Sequence, residues 1–161
     1  VPTTWMMGFR NNLVRSEGVR DKPYTDLSDK IDPNTGEKIK TVGVGVSSHN
    51  KWFPRAGPNG RVTAEQVNYS FVGASNDAAV AGARTAASIE KWNQGSFQLF
   101  SEIAYQSGTG FANLSSYKRF LSVYKTGDVA KAKEAFKETP AYKHSAESRR
   151  KQYFAMIDAG I

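Results

Sequence analysis

Only one short part of this 161-residue chain has the residue pattern of β-strands, and helical patterns lie on both sides of it. Turn-forming residues at 32–36 precede a run rich in Thr and Val from Ile39 to Val46. This combination predicts a β-hairpin or a small sheet between about 24 and 46. Gly43 and Gly45 weaken the predicted strand and allow close approach of another group to the backbone. The order of elements therefore predicts an α+β fold with two lobes, a small β lobe and a larger helical lobe.

The helices on either side have recognisable starting signals. The first is predicted from Thr4 to about Val19, with Thr3 or Thr4 as its N-cap. Thr63 and Gln66 form a capping box for an Ala-rich stretch that continues to Trp92 as one helix or two. Further helices are expected at about 96–106, 115–125, 128–137 and 145–159. We expect one domain over 1–161, with the first helix at about 3–20, the β lobe at about 21–62 and the helical lobe at about 63–161.

The composition excludes several kinds of site. The chain has no cysteine and only two histidines, His49 and His144, so neither a thiolate nor a multi-histidine metal site is possible. We therefore expect no metal and no cofactor. The net charge of +7 favours polyanionic surroundings. No apolar run approaches the length of a membrane span, so membrane insertion is not expected. The absent initiator Met favours a processed chain or a domain cut from something larger.

Two carboxyl groups are candidates for acid–base chemistry. Glu17 ends the first predicted helix, and Asp26 lies where the β segment begins. Glycoside hydrolysis needs such a pair, one member to protonate the leaving oxygen and the other to assist water. A carboxylate at a helix C-terminus opposes the helix dipole, a misfit typical of functional sites. Spacing alone favours a surface acid at Glu17, and it leaves a turn-capping role open for Asp26.

The residues around this pair carry a resemblance to a known family. The strings Ser-Glu-Gly at 16–18, Tyr-Thr-Asp at 24–26 and Thr-Val-Gly-Val-Gly at 41–45 resemble the active-site signature of the phage-type lysozymes, glycoside hydrolase family 24. The resemblance continues in the same order at 60–66, 103–111, 124–128 and 148–151. It implies a lysozyme-like fold. It also implies a muramidase that cleaves the β-1,4 bond between N-acetylmuramic acid and N-acetylglucosamine with inversion.

The same resemblance implies roles for individual residues. Glu17 would be the general acid, Asp26 the second carboxylate, and Thr41 a neighbour of the attacking water. Thr41 is equally well explained as an ordinary strand residue. The groups expected to hydrogen-bond the sugar are Gln106, Ser107 and Thr109, for which helix C-capping is the alternative. One of two arginines, Arg149 or Arg150, is expected to pair with Glu17 or with an acid near it. The three tryptophans (Trp5, Trp52 and Trp92) are interpreted as packing residues.

Two features depart from the family pattern. Thr41 follows Asp26 by 15 residues, which is longer than usual and indicates an insertion in the hairpin at 27–40. Val46 follows Gly45 where many members have a histidine.

Other functions remain open at this stage. A lytic transglycosylase would use the same glutamic acid without water and leave 1,6-anhydro ends. A non-catalytic basic module could bind the cell wall or nucleic acid, but the basic residues are scattered and no nucleic-acid-binding signature occurs. We expect bacterial peptidoglycan as the partner, no nucleic acid, and a monomer. The enzyme would be made in the host cytoplasm and act on the wall in the periplasm, as an endolysin or as a virion-associated lysozyme.

Overall fold

The structure, a computed structural model, describes residues 1–25, 31 and 36–161. The chain has an α+β fold and divides into two compact units. The sheet unit comprises residues 11–76, and the helical unit comprises residues 1–10 and 77–161. Both boundaries fall inside helices, because α1 spans Thr3–Glu17 and α2 spans Ala64–Ser88.

Helix α1 is shorter than predicted at its C-terminal end. It ends at Glu17, because Gly18 adopts a left-handed conformation (φ +69°) while its N–H donates to the carbonyl of Val14. Glycine adopts this conformation without a Cβ clash and commonly stops helices. The helix begins at Thr3, one residue earlier than predicted, so that Thr3 and Thr4 are its first helical residues rather than its N-cap.

The sheet has three antiparallel strands, in the order β1 (Arg20–Thr25), β2 (Lys40–Gly43) and β3 (Val46–Ser47). The run from Ile39 to Val46 is therefore not one strand. It reverses direction through Val44 and Gly45, where Gly45 has φ +63°, and this brings Val46 opposite Val42. Val42, Val44 and Val46 are all buried, and these short side chains form the core of the sheet.

Helix α2 is one continuous helix and not two. The predicted capping box is confirmed at its start, where the Gln66 backbone N–H donates to Thr63 Oγ1 (3.1 Å) and the Thr63 N–H donates to Gln66 Oε1 (2.8 Å). The helix ends at Ser88, four residues before Trp92, and is followed by Glu90 in a left-handed conformation (φ +59°).

The helical unit is built around α3 (Gln94–Ser107) and α7 (Glu147–Gly160). Helix α3 is buried along most of its length, as predicted from its apolar sequence. Gly95 permits close contact with α7, since a Cβ there would lie 2.6 Å from the Ala159 carbonyl carbon. The remaining elements are a 3₁₀ turn (Phe111–Asn113), α4 (Ser115–Thr126), α5 (Val129–Phe136) and α6 (Pro140–Lys143).

Aromatic side chains form the core of this unit. Phe100, Tyr124, Phe120 and Phe136 are in contact in that order, with ring centroids 5.1–5.6 Å apart. Such pairs add about 0.5–1.5 kcal/mol each beyond the area that they bury. None of the helices in the described part of the chain is both long and apolar enough to cross a membrane.

Candidate active site

Glu17 and Gly45 are brought into contact inside the sheet unit. Glu17 is the last residue of α1 and is half-buried, and Gly45 forms the turn between β2 and β3. A Cβ built on Gly45 would lie 2.6 Å from Glu17 Oε2, 2.9 Å from its Cδ and 3.0 Å from its Cγ. The carboxyl group of Glu17 therefore lies directly against the glycine backbone. Any larger residue at position 45 would displace it.

Thr41 lies on the central strand of the same sheet. It is opposite Tyr24 on β1 and opposite Ser47 on β3, and its side chain is buried, with 7% exposure. The register with Tyr24 places Thr41 beside the C-terminal end of β1, which ends at Thr25. The predicted second carboxylate, Asp26, follows immediately in the sequence and lies outside the described residues.

The position after Gly45 is part of the core. Val46 is 1% exposed and is paired in register with Val42. An aliphatic side chain suits this buried position, because a charged side chain there would lose its hydration. Gly43 also has a left-handed conformation (φ +64°), but a Cβ there would make only an ordinary contact with the Val67 side chain of α2, at 3.5 Å.

The three predicted sugar-binding residues belong to the helical unit, at the end of α3. Gln106 is exposed and its Oε1 accepts a hydrogen bond from the Tyr153 hydroxyl (3.2 Å). The Ser107 hydroxyl is 2.7 Å from the Tyr117 hydroxyl, and Thr109 is exposed in the turn after the helix. The C-cap itself is Gly108, whose backbone N–H donates to the Ala104 carbonyl.

The two adjacent arginines have different surroundings. Arg150 lies over the Tyr142 ring, 4.2 Å from its centroid, and its Nε donates to the Tyr142 carbonyl (2.8 Å) at the C-terminal end of α6. Arg149 is 8% exposed, and its guanidinium carbon lies 5.4 Å from the centroid of the Tyr153 ring. Arg150 therefore stabilises a local helix end, whereas Arg149 belongs to the buried interior.

A buried carboxyl group that the sequence analysis did not single out accompanies Arg149. Glu102 lies in α3 with 1% exposure. Burial raises the pKa of Tyr153, the charge of Arg149 opposes this, and the charge of Glu102 adds to it. Arg149 and Glu102 therefore act in opposite directions on the pKa of the same buried tyrosine. In the sequence, this residue is recognisable as an acidic side chain within a helix that is predicted to be apolar on most sides.

Metal binding has no support in the described part of the chain, where no group of three or more His, Cys, Asp or Glu residues could hold an ion. The geometry offers instead a helix-borne carboxyl group fixed against a glycine turn, next to a strand that carries a buried threonine.

Comparison of the sequence with protein-family models gives no match, and comparison with curated protein sequences gives none either.

Proposed function

We propose that this protein is a peptidoglycan hydrolase, a muramidase with a lysozyme-like fold and the character of the phage-type lysozymes. The observation that carries the proposal is the contact between Glu17 and Gly45. These residues belong to two separate strings of the resembled signature. Their contact gives a physical reason for the glycine, because the glycine leaves room for the carboxyl group of the acid.

In the proposed reaction, Glu17 protonates the glycosidic oxygen as the bond to the anomeric carbon breaks. A water molecule attacks that carbon from the opposite face, its proton passes to the second carboxylate, and the configuration inverts. Asp26 is the proposed second carboxylate, and Thr41 is the proposed partner that orients the water. Inversion requires the two carboxyl groups to lie about 6.5–9.5 Å apart, which leaves room for the water.

The proposed substrate is the glycan strand of bacterial peptidoglycan, with Gln106, Ser107 and Thr109 as hydrogen-bonding groups for the sugar. The net charge of +7 supports this assignment, because it favours association with an anionic wall. We further propose that the enzyme acts as a monomer in the periplasm of the host bacterium.

The test is a turbidity-clearing assay on purified peptidoglycan with Glu17→Gln. General acid catalysis contributes about 10²–10⁴-fold, so we expect a loss of that size. Glu65→Gln is the matched control, because Glu65 is an exposed acid in the same unit, and it should clear at the wild-type rate. Retention of full activity by Glu17→Gln would contradict the proposal.

Product analysis tests the chemistry separately. Mass spectrometry of the wild-type digest should show free reducing ends without 1,6-anhydro product. An anhydro product would instead identify a lytic transglycosylase, for which Asp26 is dispensable.

A further inference from the structure

A small pocket opens in the sheet unit where α2 begins, and none of the residues assigned above to catalysis lines it. It has a volume of about 280 Å³, and its walls come from the segment before α2 and from the first turns of that helix. The lining residues that matter here are Lys51, Trp52, Phe53, Gln66 and Tyr69. This volume is at the low end of ligand pockets, so it suits one ring-sized group better than an extended chain.

The walls of this pocket are held by defined contacts. The backbone N–H of Trp52 donates to Asn50 Oδ1 (2.9 Å), and Gln66 Nε2 donates to the carbonyl of Arg55 (2.9 Å). The indole of Trp52 packs against Gly73 of α2 so closely that no Cβ fits between them. Because the segment is fixed to the helix at several points, the pocket is preformed. A ligand therefore does not bear the cost of ordering it.

The exposed part of the pocket combines an aromatic ring with a cation. Tyr69 is 70% exposed although it lies beside Trp52, with ring centroids 5.4 Å apart and nearly perpendicular rings. The Lys51 ammonium lies 5.5 Å from the Trp52 ring centroid. The exposed aromatic ring offers an apolar face, and the lysine adds a single positive charge to the lining of the same pocket.

These groups fit an acidic sugar better than a nucleic acid. Binding of a phosphate backbone relies on several lysines and arginines that neutralise successive charges. Among the described residues that line this pocket, Lys51 is the one cation, and it matches one carboxylate. A muramoyl residue has this combination, since its ring has an apolar face of C–H groups and its lactyl branch leads to the carboxylates of the stem peptide.

We propose that this pocket is a second glycan-binding site, which takes one N-acetylmuramoyl residue of peptidoglycan. The sugar face packs on Tyr69, and a stem-peptide carboxylate lies near Lys51. The choice of ligand rests on the proposed function. The site would hold the enzyme on its substrate independently of bond cleavage.

The experiment is a titration of the full chain with muramyl dipeptide, followed by ¹H–¹⁵N NMR. We expect amide shifts at residues 51–53 and 66–70. Tyr69→Ala should weaken the binding that these amides report at least about fivefold, whereas Tyr69→Phe should keep it. Val72→Ala, which changes a partly exposed residue on the same helix, is the matched control and should bind like the parent. Neutral N-acetylglucosamine should bind more weakly than the acidic ligand.

Because the amides report this pocket directly, the result does not depend on whether the protein cleaves peptidoglycan. Absence of shifts at 51–53 and 66–70, or unchanged binding by Tyr69→Ala, would overturn the proposal. A concentration-dependent dimer that Tyr69→Ala abolishes would overturn it too, because the pocket would then serve a second copy of the chain. If a single-stranded oligonucleotide binds at the same amides more tightly than muramyl dipeptide does, the proposal is overturned and the pocket is a nucleic-acid site.

Discussion

Replacement of Gly45 by alanine should separate the proposed hydrolysis of peptidoglycan from the stability of the protein. Gly45 adopts φ +63°, a conformation that costs a non-glycine residue about 1–2 kcal/mol. The new Cβ would also lie 2.6–3.0 Å from three atoms of Glu17, where nonbonded contacts prefer about 3.5–4.0 Å. All three atoms belong to a flexible side chain. We therefore expect the carboxyl group to move by about 1 Å, with little added strain in the fold.

The expected consequence is a large loss of activity with a modest loss of stability. A displacement of about 1 Å at a reacting group can cost about 100-fold in rate. Gly45→Ala should therefore clear peptidoglycan about 100-fold more slowly, while urea denaturation should show a stability loss of about 1–2 kcal/mol from the backbone alone. Both measurements are made on the same preparation, so that a folding defect cannot be mistaken for a catalytic one.

Gly60→Ala provides the matched control. Gly60 has a similar conformation (φ +73°), but a Cβ there would meet nothing within 4 Å. This variant should show the same backbone cost of about 1–2 kcal/mol and near wild-type clearing. If Gly45→Ala clears within about threefold of Gly60→Ala, the contact with Gly45 does not position the acid, and the reasoning is refuted.

Three further predictions concern the stability of the helical unit. Burial raises the pKa of Tyr124, as it does for Tyr117 and Tyr153. The folded protein therefore keeps protons that the unfolded chain loses above about pH 10, and stability should fall as pH rises beyond that point, by up to about 1.4 kcal/mol per pH unit for each tyrosine. Asn93→Ala removes the N-cap of α3 and a bond to the Gly160 carbonyl, and urea denaturation should show a loss of about 1–2 kcal/mol. Gly82→Ala would place a Cβ 2.5 Å from the backbone nitrogen of Ser101, and thermal unfolding should show a loss of about 1–3 kcal/mol.

Each of these has its own control. Tyr124→Phe should reduce the loss of stability per pH unit above about pH 10. An unchanged loss per pH unit would mean that this tyrosine does not cause it. Asn93→Asp keeps an acceptor for the Ser96 N–H and should recover part of the lost stability. Gly110 has a negative φ, and a Cβ there would meet no neighbouring atom, so Gly110→Ala should not change the stability. If Gly110→Ala and Gly82→Ala lose equal stability, the close contact of Gly82 with Ser101 does not explain the loss.

The features that could be predicted from the sequence are those set by neighbouring residues. The capping box of Thr63 and Gln66 formed as expected, because both partners lie within one helical turn. Asp128 likewise caps α5, accepting from the Lys131 N–H (3.0 Å). Helix α6 was missed, because four residues show no periodicity. The available signal was local, with Thr139 as N-cap and Pro140 as the first helical residue.

The features that could not be predicted depend on residues far apart in sequence. The sequence showed two glycines in a strand-like run. It did not show that the chain reverses at Gly45 or that this turn meets the end of α1. It also showed Trp52 as one of three equivalent aromatic residues, whereas its packing on Gly73 shapes the pocket beside Tyr69. Such contacts follow from tertiary packing, on which spacing along the chain gives no information.

The residues that fit their local structure least well are the ones with the strongest claim to chemistry. Glu17 ends a helix where its charge opposes the helix dipole, Gly45 interrupts a β-type run, and Glu102 is buried in an otherwise apolar helix. The first two misfits share one explanation, because the glycine leaves the space that the carboxyl group occupies. Glu102 does not take part in that contact. Its charge acts instead on the pKa of Tyr153, whose hydroxyl donates to Gln106 Oε1. Burial of a carboxyl group costs stability unless the group is paired, so the surroundings of Glu102 bear on the stability of the helical unit.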